Sequence, residues 1–71
     1  MIEPSDIEEL LEKSPFQTFR IRMSDGNFYD VVNPDLVVAM ESMLFIALTK
    51  SRWKFLSYQN MTAVESSDVE A

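Results

Sequence analysis

Four cations and a tyrosine are the side chains of this sequence best suited to binding chemistry: Arg20, Arg22, Arg52, Lys54 and Tyr58. The cations form two pairs, and one residue separates the two members of each pair. Because alternate side chains of a β-strand lie on one face, each pair projects from one side of its own strand. If the two strands are neighbours, all four cations share a face. Cations beside aromatic rings suit single-stranded nucleic acid.

The competing interpretation of these cations is an ordinary solvated face, paired with acidic segments elsewhere in the chain. The net charge is −6, and the acidic residues are concentrated in residues 1–13 and 65–71, whereas the stretch between them is nearly neutral. An acidic protein repels phosphate backbones at long range. The solvated face is therefore the favoured interpretation, and we expect weak or no binding of nucleic acid.

This chain has few of the residue types that usually carry out catalysis. Histidine and cysteine are both missing, so there is no histidine base, no Ser-His or Cys-His pair and no zinc site of the common kind. Gly26 is the only glycine, which excludes a glycine-rich phosphate loop. The carboxylates fall on a predicted helix, in turns and near the C-terminus, where they favour solubility and helix capping. The sequence predicts a protein that is not an enzyme and holds no cofactor or metal.

A short amphipathic helix is predicted over residues 5–13. Ser5 is the predicted N-cap, with Glu8 reaching back to it in a capping box. Pro15 ends the segment. A narrow apolar stripe follows the helical period: Ile7, Leu10 and Leu11. A helix this short is unstable alone, so we expect it to pack on an apolar surface.

Strands are predicted for the rest of the domain. A hairpin is predicted over residues 19–32. Apolar and charged residues alternate in its first strand, residues 19–23, and residues 28–32 form its second strand. Asp25-Gly26 forms the turn, because glycine accepts positive φ without steric cost. Two apolar runs, residues 36–40 and 43–48, predict a second hairpin, buried on much of both faces. A helix through residues 36–48 is the competing prediction, since leucine, alanine and methionine are helix formers. The β-branched and aromatic residues there favour strand.

Two shorter strands complete the prediction. Trp53 and Phe55 alternate with Arg52, Lys54 and Leu56, which indicates one strand, and a turn then leads to a strand over residues 61–64. The predicted architecture is mainly β with one N-terminal helix. Residues 1–64 form a single domain in this interpretation, and residues 65–71 form an acidic C-terminal tail.

The small size of the domain predicts self-association. A chain of 71 residues buries a modest core and usually needs disulfides, a metal or oligomerisation to stabilise it. Without cysteine and histidine, oligomerisation remains. Large aromatic side chains are accordingly assigned to the core or to a subunit interface rather than to a base-stacking platform: Phe16, Phe28, Tyr29 and Trp53.

The sequence also predicts a cytoplasmic location without a membrane partner. No apolar run approaches the roughly 20 residues that span a bilayer. The acidic N-terminal residues lack the basic-then-apolar pattern of a secretory signal.

The order of the predicted elements resembles that of Sm-like small β-barrel proteins. Those proteins place Asn-Gly or Asp-Gly at the end of their first strand, where Ser24-Asp25-Gly26 stands here, and residues 58–64 resemble their last turn and fifth strand. The resemblance implies a five- to six-stranded antiparallel barrel whose subunits form rings by pairing edge strands. The RNA-binding turn of the bacterial family members carries Lys-His, and that of the eukaryotic and archaeal members carries Arg-Gly. Ser57-Tyr58 stands here instead, so those RNA-binding roles are not carried over.

A second resemblance is to small uncharacterised bacterial proteins that share an acidic helix, Pro-Phe-x-x-Phe, Asp-Gly and Asn-Pro. Here these motifs are Pro15 to Phe19, Asp25-Gly26 and Asn33-Pro34. This resemblance implies no function. The leading hypothesis is a non-enzymatic interaction module that self-associates, and the alternative is an Sm-like ring that binds RNA or single-stranded DNA.

Overall fold

A computed structural model describes residues 1–67 and confirms a mainly β domain with one N-terminal helix. The elements are α1 (Pro4–Leu11), β1 (Phe19–Met23), β2 (Phe28–Val31), β3 (Val37–Ala39), β4 (Leu44–Ala47), β5 (Trp53–Leu56) and β6 (Met61–Ser66). Six antiparallel strands form two three-stranded sheets, sheet A in the order β2-β1-β6 and sheet B in the order β3-β4-β5. Within residues 1–67 no ladder joins the sheets into a closed barrel.

Helix α1 begins earlier than the sequence pattern predicted. Glu3 rather than Ser5 is the N-cap, and Asp6 Oδ2 accepts a hydrogen bond of 2.8 Å from the Glu3 backbone N–H. Proline is well suited to the first helical position, because its missing N–H has no partner there in any helix. With Pro4 at the first helical position, the N-cap lies two residues before the predicted one. The helix ends at Leu11, and its Ile7 is fully buried.

The predicted hairpin of β1 and β2 is confirmed. Gly26 adopts a φ of 92°, in the left-handed region that favours glycine, and Asp25 Oδ1 accepts from Asn27 N at 2.9 Å. β1 is the central strand of sheet A, so Ile21 lies opposite Tyr29 on one side and Val64 on the other. Phe19 and Ile21 thereby become fully enclosed.

The second predicted hairpin is also confirmed, and residues 36–48 do not form one long helix. Pro34–Leu36 forms a single 3-10 turn, in which Asn33 Oδ1 accepts from Asp35 N, and β3 then pairs with β4. The prediction that this hairpin is buried on much of both faces is wrong for its outer face. Leu44 and Ile46 are buried, whereas Val38 on the opposite face is 53% exposed. No element packs over that face within residues 1–67, so only its inner side is enclosed.

The core is a single apolar cluster drawn from the helix and both sheets. Its buried members are Ile7, Phe19, Ile21, Val31, Val37, Leu44, Ile46, Leu56, Tyr58 and Met61. β6 continues through Ser66, so two residues of the predicted acidic tail belong to sheet A. Residues 68–71 of that tail lie outside the described residues. Among residues 1–67 no helix is both long and apolar enough to cross a lipid bilayer.

Candidate interaction surface

The structure separates the two cation pairs, which would share a face only if their strands were neighbours. Arg20 and Arg22 lie on β1 in sheet A. Lys54 lies on β5 in sheet B, and Arg52 is the residue immediately before that strand. β1 pairs with β2 and β6, and β5 pairs with β4, so the two strands are not neighbours. The condition for one shared cationic face is therefore not met.

The outer face of sheet A carries charged side chains that pair with one another around the ring of Phe28. Arg20 donates to both carboxylate oxygens of Asp30, at 2.8 and 3.1 Å, and Arg22 donates to Glu65 at 2.9 Å. The Arg20 guanidinium also lies 4.1 Å from the centroid of Phe28, a cation–π contact. The hydrogen bond from Arg20 lowers the pKa of Asp30. Both arginines are thus engaged by side chains of this same face.

Tyr58 is a core residue in the structure. It is 6% exposed, and its hydroxyl donates to the Met40 carbonyl oxygen at 2.6 Å. Burial raises the pKa of this hydroxyl above its ordinary value. Tyr58 lies in the turn between β5 and β6, and its hydrogen bond to Met40 connects this turn to the β3–β4 hairpin. In this position the face of the ring is not available to a base.

Lys54 lies on the inner side of β5, where it reaches towards sheet A. Its Nζ donates to the Tyr29 hydroxyl at 3.1 Å, and it stands 5.6 Å from the centroid of that ring. The long aliphatic stem of lysine can follow an apolar surface while the ammonium stays in water. This explains how a charged residue shares a face of β5 with the buried Leu56.

The outer face of sheet B is apolar and aromatic, and we call it the apolar face. It consists of Val38, Met43, Phe45, Trp53 and Phe55. The strand register places Val38, Phe45 and Phe55 in one row, because directly opposed residues of antiparallel strands share a face. The three aromatic rings contact one another, with centroids 5.4 to 6.1 Å apart. Trp53 is 58% exposed and Phe55 is 51% exposed.

The apolar face continues onto a free strand edge. β5 pairs with β4 alone and β6 pairs with β1 alone in the described part of the chain, so each sheet ends in a strand with one open side. The Leu48 backbone N–H donates to the Arg52 carbonyl oxygen at 2.8 Å, so the backbone polar groups of Arg52 point towards β4. Backbone groups alternate in direction along an antiparallel strand, so those of Trp53 and Phe55 point away from β4. Exposed edges of this kind are templates for pairing with another chain.

Sequence reasoning did not identify the apolar face as a unit. Trp53, Phe28 and two other aromatic residues were assigned to the core or to an interface, and Trp53 and Phe28 are not in the core. The available signal was the alternation of Trp53 and Phe55, which requires both rings to share one side of β5. Which side faces inward depends on Leu56, the buried residue of that strand.

Comparison of this chain with protein-family models, with curated proteins and with solved structures finds no match. Among residues 1–67 there is also no group of three or more carboxylate side chains placed to hold a metal ion.

Proposed function

We propose that this chain is a non-enzymatic interaction module that self-associates through the apolar face and the adjoining edge of β5. The observation that carries the proposal is the contact of Trp53, Phe55 and Phe45 on a surface that nothing in the described chain covers. Soluble monomers seldom expose large contiguous apolar patches, and such patches mark interaction sites. Aromatic residues are also the usual anchors of protein interfaces.

The exposed area of the apolar face accounts for part of an interface with a second copy. An aromatic side chain can bury about 150–250 Å², so the exposed parts of Trp53 and Phe55 offer roughly 200 Å² per copy. A stable interface uses about 800 Å² per partner. Val38, Met43 and the backbone of the β5 edge add to this area, and surface around the apolar face must supply the rest. Burial of these groups supplies the stabilisation that a small domain without disulfides otherwise lacks.

The strand order supports an Sm-like barrel as the form of the subunit. The short segment with the 3-10 turn carries the chain from β2 in sheet A to β3 in sheet B. This connection takes the place of the bent strand of an Sm-like barrel: it lets the two sheets enclose one core and leaves the open sides of β5 and β6. Sm-type subunits associate by pairing such edges, and we propose that β5 and β6 serve this purpose here.

The test is the mass of the protein in solution as a function of concentration. We expect light scattering to give a multiple of 8.2 kDa at micromolar concentration. Trp53 is the only tryptophan, so its fluorescence reports on the apolar face alone. Its emission should shift to longer wavelength on dilution, as dissociation exposes the ring. A constant mass of 8.2 kDa with unchanged emission would refute the proposal.

Binding of RNA or single-stranded DNA is expected to be weak. Arg20 and Arg22 already contact carboxylates, and the net charge of −6 opposes the approach of phosphates. Four phosphate contacts would give a log–log salt slope of about −0.7 per contact on single strands. Fluorescence anisotropy with labelled oligo-U and oligo-A measures this at low and moderate salt. Submicromolar affinity at about 150 mM salt, lost on reversal of the four cations, would favour the nucleic-acid-binding ring instead.

A further inference from the structure

Two surfaces of the domain carry charges of mainly opposite sign that form no ion pairs within residues 1–67. Both ion pairs found within residues 1–67 lie on the outer face of sheet A. The β4–β5 hairpin carries Lys50, Arg52 and Lys54, and none of the three forms an ion pair in the described part of the chain. The exposed side of α1 carries Glu9, and Glu12 follows as its C-cap residue; neither forms an ion pair within residues 1–67.

The acidic surface borders a groove beside the free edge of β6. This groove between α1 and β6 has a volume of about 530 Å³. Its apolar lining is Ile2, Leu10, Ala63 and Val64, and its charged lining is Asp6, Glu9 and Lys13. The groove thus combines apolar walls and carboxylates with an open strand edge.

We propose that the acidic groove between α1 and β6 of one copy receives the basic β4–β5 hairpin of the next copy. The inference rests on the proposed self-association and specifies the surface that the hairpin meets. Two copies with a charge of −6 each repel one another overall, so docking requires local attraction. The hairpin supplies Lys50 and Arg52 beside exposed aromatic rings, and the groove supplies carboxylates with apolar walls. The contact is heterologous, because the two surfaces that meet are different.

Charge reversal on either surface tests this docking in the full chain. The hairpin variant is Lys50→Glu with Arg52→Glu, and the helix variant is Glu9→Lys with Glu12→Lys. All four side chains are exposed, so little change in the core is expected. We expect each double variant to raise the dissociation constant about tenfold or more. Sedimentation velocity or light scattering gives these constants.

The helix variant separates local docking from general repulsion. It makes the net charge less negative, so weaker repulsion between copies would by itself strengthen association. Loss of the docking contact instead weakens association. Asp35→Lys with Glu41→Lys is the matched control, because it changes the net charge equally and leaves both surfaces intact. We expect this control to associate at least as tightly as the wild type.

Combining both reversals restores attraction with exchanged signs. The four-fold variant has the wild-type net charge of −6, and we expect its dissociation constant to return towards that of the wild type. If circular dichroism shows that the helix variant is unfolded, Glu9→Gln with Glu12→Gln replaces it. Association that depends on Trp53 but is unaffected or strengthened by the helix variant would refute this docking and leave self-association standing. A monomeric wild type would refute both.

Discussion

Replacement of both Trp53 and Phe55 by serine is expected to convert the associated protein into an 8.2 kDa monomer. Both rings are more than half exposed in the single chain, so their loss removes little from the core. The substitution removes the two rings that would be buried between copies. Buried aromatic anchors cost about 2 kcal/mol or more each when truncated in an interface, so association should weaken by at least about a hundredfold. Light scattering across a concentration series measures the change.

Phe28→Ser is the matched control for this substitution. Phe28 is 48% exposed, but it lies on the outer face of sheet A under Arg20. Its loss removes a similar exposed aromatic surface from the other side of the domain. We expect this variant to keep the mass of the wild type. A monomeric Phe28→Ser variant together with an associated Trp53→Ser, Phe55→Ser variant would place the interface on sheet A.

Tyr58→Ala is expected to remove most of the stability of the domain. A small domain has about 0.05–0.15 kcal/mol of stability per residue. Truncation of a large buried aromatic side chain costs about 3–5 kcal/mol, and here the Met40 carbonyl also loses its short hydrogen bond. Tyr58→Phe isolates the hydroxyl, and we expect it to cost about 1–2 kcal/mol. Urea unfolding at one protein concentration gives both values.

Gln59→Ala provides the reference for the Tyr58 variants. Gln59 lies in the same turn and is exposed, so its truncation should change the free energy of unfolding by less than about 0.5 kcal/mol. If Tyr58→Phe were as stable as the wild type, the contact with Met40 would contribute nothing to the fold. An unchanged Tyr58→Ala variant would contradict the assignment of this residue to the core.

The local parts of the fold were predictable because local rules govern them. The Asp25-Gly26 turn requires a positive φ that glycine adopts readily, and the flanking alternation fixes the pairing of β1 with β2. The β-branched and aromatic residues of β3 and β4 favoured strand over helix, and the structure agrees. At the N-terminus, Pro4 prevailed over the expected Ser5 cap because proline fits the first helical position.

The relation between distant strands was not predictable in the same way. Alternation shows which residues of β5 share a side, but it does not show which side faces the core. The flexible stem of Lys54 allows a charged residue to occupy the inner side, which places Trp53 and Phe55 outside. Likewise, the sequence did not indicate that β1 has β6 as its neighbour. Residues 65–71 were one of two acidic segments expected to pair with the cations, but Glu65 was not identified as the partner of Arg22.

The order β2-β1-β6 has a consequence for the sequence of folding events. The whole of sheet B lies in the chain between β2 and β6, and Arg22 and Glu65, which contact across β1 and β6, are 43 residues apart. Closing a loop costs entropy that grows with its length, so this pairing is costly unless sheet B has already shortened the loop. The hairpins of β1–β2 and β3–β4 need no such closure. We therefore expect the pairing of β6 with β1 to be the slow, non-local step of folding, and an unpaired β1 edge to be open to the β6 strand of another copy.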